Sequence, residues 1–427
     1  MTLKNSNQNR NGISTLVGPY MIFLFSYMML YEFFDTYTTS YYSIVVSYIQ
    51  ADFGMDHSQW YGIMAIASLG MFVVLINQLL ADIIGRKPMM IIVFLGMGVA
   101  SLILFMSKTI TGFALGFFLL WMFFSSDIWV IIVSEEAPRE KRARYTYLVA
   151  LFGALGAIAI PICRGIFIHA DASVDPTLWR TMTYLAMAAI PLSLLGFGMK
   201  ETRAFKLRKE KPITGEDKRT IGKLKEPFGK ETRSRMLTFM AIGLIFGLVT
   251  AAVTTLEVYF SKIVGDVEIV TNVFYVATIG TFVFFGITGL LADKFGRKAV
   301  MILYVLTYFT TVLMLVFLIP VLADSQNYLL IYLIAFLSNG SFWGGFMMSK
   351  TYCVECFPTE IRGTSAGWRS MSYALGITIG ALISSALAKS LSLGAIYIIF
   401  SGIAVIVIPF LVKTYLPETR GLEIVDV

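Results

Sequence analysis

The chain has 427 residues, 57% of them hydrophobic and only 14% charged, with a net charge of +7 and a mean hydropathy of +0.75. Soluble domains carry about 25% charged residues, so this composition excludes a soluble globular protein and sets most of the chain against lipid or other apolar helices. Three cysteines exclude a disulfide framework.

Residues Met1 to Gly12 are polar and lack a charged-then-apolar leader, so no cleaved secretory signal is expected. Apolar runs of about 20 residues, each sufficient to span a bilayer, then recur twelve times. They cover roughly 17–49, 58–81, 88–107, 111–134, 145–168, 180–199, 236–260, 269–291, 299–322, 327–354, 363–388 and 391–414. The first run is too long for one upright span, which predicts a tilted helix or one that starts along the interface. It carries Glu32 and Asp35, three residues apart and therefore on one helix face. A charge at mid-bilayer costs about 2.5–3.5 kcal/mol and marks a cavity, a partner or a proton site. Two desolvated neighbouring carboxylates have the tuned ionisation that proton coupling needs. Asp127 in the fourth run lies eight residues, roughly 12 Å along a helix, from Glu135 and is a third candidate. In the fifth run Arg164 follows an unbroken apolar stretch from Leu148 to Cys163. It is placed to neutralise Asp35 or Asp127, to bind an anionic substrate, or to snorkel to the interface. Glu257, near the end of the seventh run, is either a ligand or a solvated helix end.

Between the runs, three short phrases occur twice in the same order. Leu80-Ala81-Asp82-Ile83-Ile84-Gly85-Arg86-Lys87 is answered 211 residues later by Leu291-Ala292-Asp293-Lys294-Phe295-Gly296-Arg297-Lys298. Glu135-x-x-Pro138-x-x-x-Arg142 returns as Glu355-x-x-Pro358-x-x-x-Arg362, and Glu201-Thr202-Arg203 as Glu418-Thr419-Arg420, at offsets of 220 and 217. Collinear matches at nearly one offset indicate parallel duplication. The division is an N-terminal segment 1–16, six-helix halves 17–199 and 236–414, a linker 200–235 and a tail 415–427. The linker holds 13 Lys and Arg against 6 Asp and Glu. Such a segment forms no core of its own, and one or two short amphipathic helices on the membrane surface are expected there. Most Lys and Arg fall beside loops on one side, which predicts that both termini are cytoplasmic. That asymmetry accounts for the net charge without a nucleic-acid partner.

No phosphate-binding loop and no zinc-protease or serine-hydrolase signature is present. Cys353-x-x-Cys356 has no second pair, and the two histidines, His57 and His169, are expected on the opposite side. No metal, cofactor or enzymatic activity is expected.

Two parallel six-helix halves, each with this basic hairpin between its second and third helices, resemble the major facilitator superfamily over essentially the whole chain. The hairpin is similar to that family's G-x-x-x-D-x-x-G-R-K/R motif, with Gln78 replacing the first glycine in half one while Gly289 keeps it in half two. The resemblance implies an all-α membrane fold of twelve helices and transport by alternating access. It also implies a cytoplasmic latch formed by Asp82, Gly85, Arg86, Lys87, Glu135 and Arg142 with Asp293, Gly296, Arg297, Lys298, Glu355 and Arg362. Asp82 and Asp293 are expected to complement a neighbouring helix N-terminus. Lys350 and Arg369 are expected to join this latch, with Glu355 or Asp82. The E-x-x-P-x-x-x-R pairs and the Glu-Thr-Arg tails look like the sugar-porter branch and its organic-ion relatives, in which Asp35 matches the proton-coupling carboxylate. The pattern departs elsewhere. The family's fourth-helix arginine falls near Leu115, and the sugar-binding Gln-Gln and Asn pattern is missing from Gly243 to Phe260. The family's cavity-lining helices place Arg164, Glu257, Trp129, Tyr31 and Trp343 as candidate substrate residues, aromatic faces serving a ring or an amine. The expected protein is a monomeric, cell-membrane secondary transporter of a small organic ion or polar metabolite, coupled to protons. A non-conventional sugar carrier, a drug/proton antiporter and a non-transporting receptor are the alternatives.

Overall fold

A computed structural model of the chain describes residues 18–123, 128–137, 142–202, 205–206, 225–358 and 361–419. The first half contains α1 (Pro19–Ser40), α2 (Val46–Phe53), α3 (His57–Ser68), α4 (Val74–Ile84), α5 (Arg86–Met106), α6 (Ile110–Phe123), α7 (Ile128–Glu136), α8 (Arg142–Phe167), α9 (Thr183–Met187) and α10 (Ala189–Ser193). The second contains α11 (Arg233–Ala252), α12 (Leu256–Val264), α13 (Val267–Phe295), α14 (Arg297–Phe317), α15 (Ile319–Asp324), α16 (Tyr328–Glu355), α17 (Arg362–Leu387) and α18 (Leu393–Tyr415). Several neighbours are halves of one span joined by a tight 3-10 turn, and the helices follow the twelve apolar runs. Among the described residues nine spans are long and apolar enough to cross a bilayer. Large apolar side chains such as Leu329, Ile83, Leu290 and Ile406 are more than 70% exposed, which suits a lipid-facing surface and no aqueous one. This is a multi-pass membrane protein.

The first apolar run is a broken helix and not one long tilted one. A 3-10 turn at Tyr41–Ile44 separates α1 from α2, and Val253–Thr255 separates α11 from α12 at the corresponding place in half two. Shorter hydrogen-bonded turns inside a span commonly mark hinges. The extra length of the first run is used in this change of direction.

Small residues set the closest helix contacts. Gly156 on α8 leaves room for the Phe33 carbonyl of α1, and Gly376 on α17 does the same for the Leu244 carbonyl of α11. Gly243, Gly247 and Gly380 extend that seam between α11 and α17. Without a hydrophobic driving force between helices in lipid, close backbone approach of this kind holds the bundle together.

Candidate functional site

Each basic hairpin turns on a glycine that only glycine tolerates well, Gly85 at φ +119° and Gly296 at φ +92°. The helix that follows then starts with exposed N–H groups, and the repeated Glu-Thr-Arg phrase supplies their acceptor. Glu201 accepts from the backbone N–H groups of Arg86 (3.1 Å) and Lys87 (3.3 Å), and Glu418 from those of Arg297 (2.9 Å) and Lys298 (3.2 Å). The arginine side chains turn back into the hairpin. Arg86 donates to the Ala81 carbonyl and pairs with Glu135 at 3.2 Å. Arg297 donates to the Ala292 carbonyl and pairs with Glu355 at 2.8 and 3.0 Å. Thr419 closes the second circuit on Glu355 at 2.6 Å, and the Lys87 ammonium reaches the Phe197 carbonyl at 2.8 Å. The three repeated phrases thus meet in one cap-and-ion-pair circuit per half.

Two expectations change here. The helix cap is Glu418 in the second hairpin, where Asp293 had been expected; Asp293 is 73% exposed and pairs with Arg297 at 2.9 Å. Among the described residues the ion pairs Arg86–Glu135 and Arg297–Glu355 also join residues of one half, where a latch joining the two hairpins had been expected. The side chains of Asp82, Arg142 and Arg362 lie outside the described residues, as does Asp127.

Among the described residues, hydrogen bonds joining the halves gather away from the hairpins. Ser58 and Ser385 hydroxyls lie 3.2 Å apart, and Ser385 also donates to the Ser58 carbonyl. Tyr61 donates to the Ala252 carbonyl at 2.7 Å and meets the Thr255 hydroxyl at 2.8 Å. Ser68 meets Thr378 at 2.8 Å. The most polar contact is an ion pair across the halves, Arg164 to Glu257 at 3.3 Å, with side chains only 1% and 0% exposed. Arg164 also donates to the Thr271 hydroxyl at 3.1 Å and to the Ile44 carbonyl, and lies over the Tyr48 ring. Glu257 accepts from the Ser47 backbone (2.7 Å), the Ser47 hydroxyl (2.8 Å) and Ser261 (3.0 Å). The acceptor in the first hinge, Ile44, and Ser47 just beyond it tie this pair to the break in the first span.

Arg164 and Glu257, expected to meet a solute, are therefore each other's partner in this conformation. Neither is a solvated or snorkelling end. The other candidates separate. Tyr31 is fully buried with its ring edge-on to Phe94 of α5, inside its own half. Glu32 faces α8, with its Cγ 3.0 Å from where a Cβ on Gly153 would stand. Asp35 is 6% exposed, and its carbonyl accepts from Thr39 at 2.6 Å. A cavity of about 300 Å³ beside α1 and α8 is lined by Ser26, Met29, Leu30, Phe33, Phe34 and Phe152, apolar but for the Ser26 hydroxyl. Trp129 is buried on α7. Trp343 belongs to an aromatic group in half two with Phe342 and Phe346, which continues to Tyr373 and Phe246. Lys350 and Arg369 sit over the Phe346 ring, at 5.0 and 4.8 Å from its centre, and Glu355 is occupied by Arg297. This placement replaces the one expected for Arg369 in the latch.

The capping glutamates, the Ser47–Thr271–Ser261 shell and the Phe346 ring that gathers Trp343, Lys350 and Arg369 were not singled out as site residues from the sequence. Only the glutamates left a signal, their recurrence beside the other two phrases. Among the described residues no group of His, Cys, Asp and Glu is disposed to hold a metal. Burial and the neighbouring Cys353 push the Cys356 thiol, just beyond α16, up to about 12, far from a thiolate ligand.

The family model for the Major Facilitator Superfamily matches residues 28–349 and 237–424. The chain is similar to Glucose transporter GlcP of Staphylococcus epidermidis, 24% identical over 386 residues that cover 82% of this chain and 83% of that protein. The solved structure of a D-xylose-proton symporter matches with a TM-score of 0.77 at 14% identity, over 94% of this chain and 99% of that one. Nucleoside transporter NupG matches with a TM-score of 0.72 at 13% identity, over 92% and 99%. At these identities the two structures establish the fold of paired six-helix halves.

Proposed function

Because this chain belongs to the Major Facilitator Superfamily, whose members are transporters and not enzymes, we propose that it moves a small organic ion or polar metabolite by alternating access, coupled to protons through Asp35. The observation that carries the reading is the asymmetry between the two ends. Among the described residues the halves are bonded together at one end by the Arg164–Glu257 pair and three hydroxyl contacts, while at the other end the Arg86–Glu135 and Arg297–Glu355 pairs each join residues of a single half. With the hairpins and both termini on the cytoplasmic side, as the basic-residue bias favours, this is an inward-facing state. Turning outward requires the distal contacts to break and the hairpin ends to meet.

Asp35 supports coupling because it is an acid buried at mid-helix one turn from Glu32, in a setting where charge is costly. Phe33 and Phe34, between these two acids, line a largely apolar cavity, which suits a solute with an apolar body better than a polyhydroxylated one. The glucose and xylose carriers to which the chain is similar favour a second reading, a sugar carrier. The working unit is a single cell-membrane monomer surrounded by lipid.

Reconstituted vesicles separate these readings. Counterflow of labelled organic acids, amines and sugars identifies the solute, and an imposed pH gradient tests coupling. Asp35→Asn is expected to keep counterflow while losing gradient-driven accumulation. Equal accumulation by the native chain and Asp35→Asn refutes Asp35 as the coupling residue.

A further inference from the structure

The molecule buries two arginines equally, and it treats them differently. Arg164 has a carboxylate, a hydroxyl and a carbonyl. Arg369 is also 1% exposed, yet its Nε and Nη2 have no hydrogen-bond partner among the described residues. Its guanidinium rests on the Phe346 face, 4.8 Å from the ring centre, and no ion pair to it is found among those residues. A second cation, Lys350, occupies the same ring at 5.0 Å. An arginine does not shed its proton to relieve burial, and a desolvated charge with no counter-ion and two orphaned donors is costly for a fold to hold. A ring face compensates only part of that cost.

Position adds a direction. Arg369 stands seven residues into α17 and Phe346 nine residues before the end of α16, so both lie about 10–14 Å from the hairpin end by helical rise. That is the end read above as open. Phe346 is packed with Trp343 at 5.6 Å and Tyr373 at 4.7 Å, and Tyr373 meets Thr250 of α11 at 3.2 Å. Cation, aromatic faces and hydroxyls thus converge from α11, α16 and α17.

We propose that Arg369, over Phe346 and beside Lys350, is the subsite for the negative charge of the transported solute, the carboxylate of a small organic acid. The missing counter-ion is supplied by the cargo: the planar guanidinium accepts a carboxylate side-on, and Trp343 and Tyr373 flank the body of the acid. This rests on the transporter reading and narrows its substrate class to anions.

The test uses the purified full-length chain, with thermal midpoints measured against benzoate, lactate, xylose, methylamine and chloride. The native chain is expected to respond to a carboxylate and not to xylose or methylamine. Arg369→Lys is expected to keep a weakened response, and Arg369→Met to bind at least tenfold more weakly. Because Met removes an uncompensated charge at similar length, the ligand-free midpoint of Arg369→Met is expected to rise. A fall in that midpoint identifies a structural arginine and overturns the proposal. So does an undiminished carboxylate response in Arg369→Met, or a native chain that answers only to sugars or amines. A response to chloride alone, equally dependent on Arg369, overturns the substrate assignment in favour of a resident inorganic anion. Counterflow of any solute leaves the transporter reading standing in each of these cases; absence of all flux defeats that reading instead.

Discussion

Arg164 and Arg369 look alike in the sequence, each a cation in an apolar run, and the fold gives them opposite surroundings. The partner of Arg164 is 93 residues away in the other half, Glu257, and helical spacing carries no information about such a contact. Removing one member of a buried pair strands the other. Glu257→Gln is therefore expected to cost roughly 3–5 kcal/mol, read as a lower unfolding midpoint in micelles. Arg164→Met with Glu257→Met is expected to recover most of that loss. An unchanged midpoint in Glu257→Gln would show that the pair holds nothing together. Cys356 makes a second residue-level expectation. Its thiol, pushed up to about 12 by burial, stays neutral and should resist maleimide at pH 7.5 until the protein is unfolded. The sign follows: a folded pKa above the unfolded value of about 8.5 gives a contribution fully present below that pH and lost as pH rises towards 12. Rapid native labelling of Cys356 contradicts this environment.

Among elements, the apolar runs made span number and position legible, because twenty consecutive apolar residues have few other uses. What they hid was continuity. The breaks at Tyr41–Ile44 and Val253–Thr255 carry no proline or glycine, so nothing local announced them; they are held by tertiary contacts such as the Tyr61–Thr255 bond. The hairpins were legible as motifs, yet the identity of their caps was not, since Glu201 and Glu418 arrive from more than 110 residues away. Helix seams are the most sensitive elements. A Cβ on Gly376 would overlap the Leu244 carbonyl, a backbone atom that cannot turn aside. Gly376→Val is expected to lose about 1–3 kcal/mol or more and to reduce folded yield by size-exclusion chromatography. Gly367, which meets nothing within 4 Å, is the control, and its Ala variant should behave as the native chain. Equal yields from both would remove close packing as the reason for glycine at 376.

For the whole molecule, the contacts between halves define a state that can be trapped. Ser58→Cys with Ser385→Cys places two sulfurs where hydroxyls now lie 3.2 Å apart. Oxidation is expected to form a cross-link that stops counterflow, and reduction to restore it. The native cysteines are buried and should not interfere. Flux that survives complete cross-linking would disprove the need for the distal end to open. The two ends also differ in symmetry. The backbone caps by Glu201 and Glu418 and the Arg86–Glu135 and Arg297–Glu355 pairs occur once in each half. The Arg164–Glu257 pair takes one member from each copy. No arginine occurs at the positions matching Arg164, Leu375 to Ser384, and no acid at those matching Glu257, Tyr37 to Val46. That bond is therefore made once, across the halves, so the molecule is twofold in design at its hairpin end and lopsided at the end that must open.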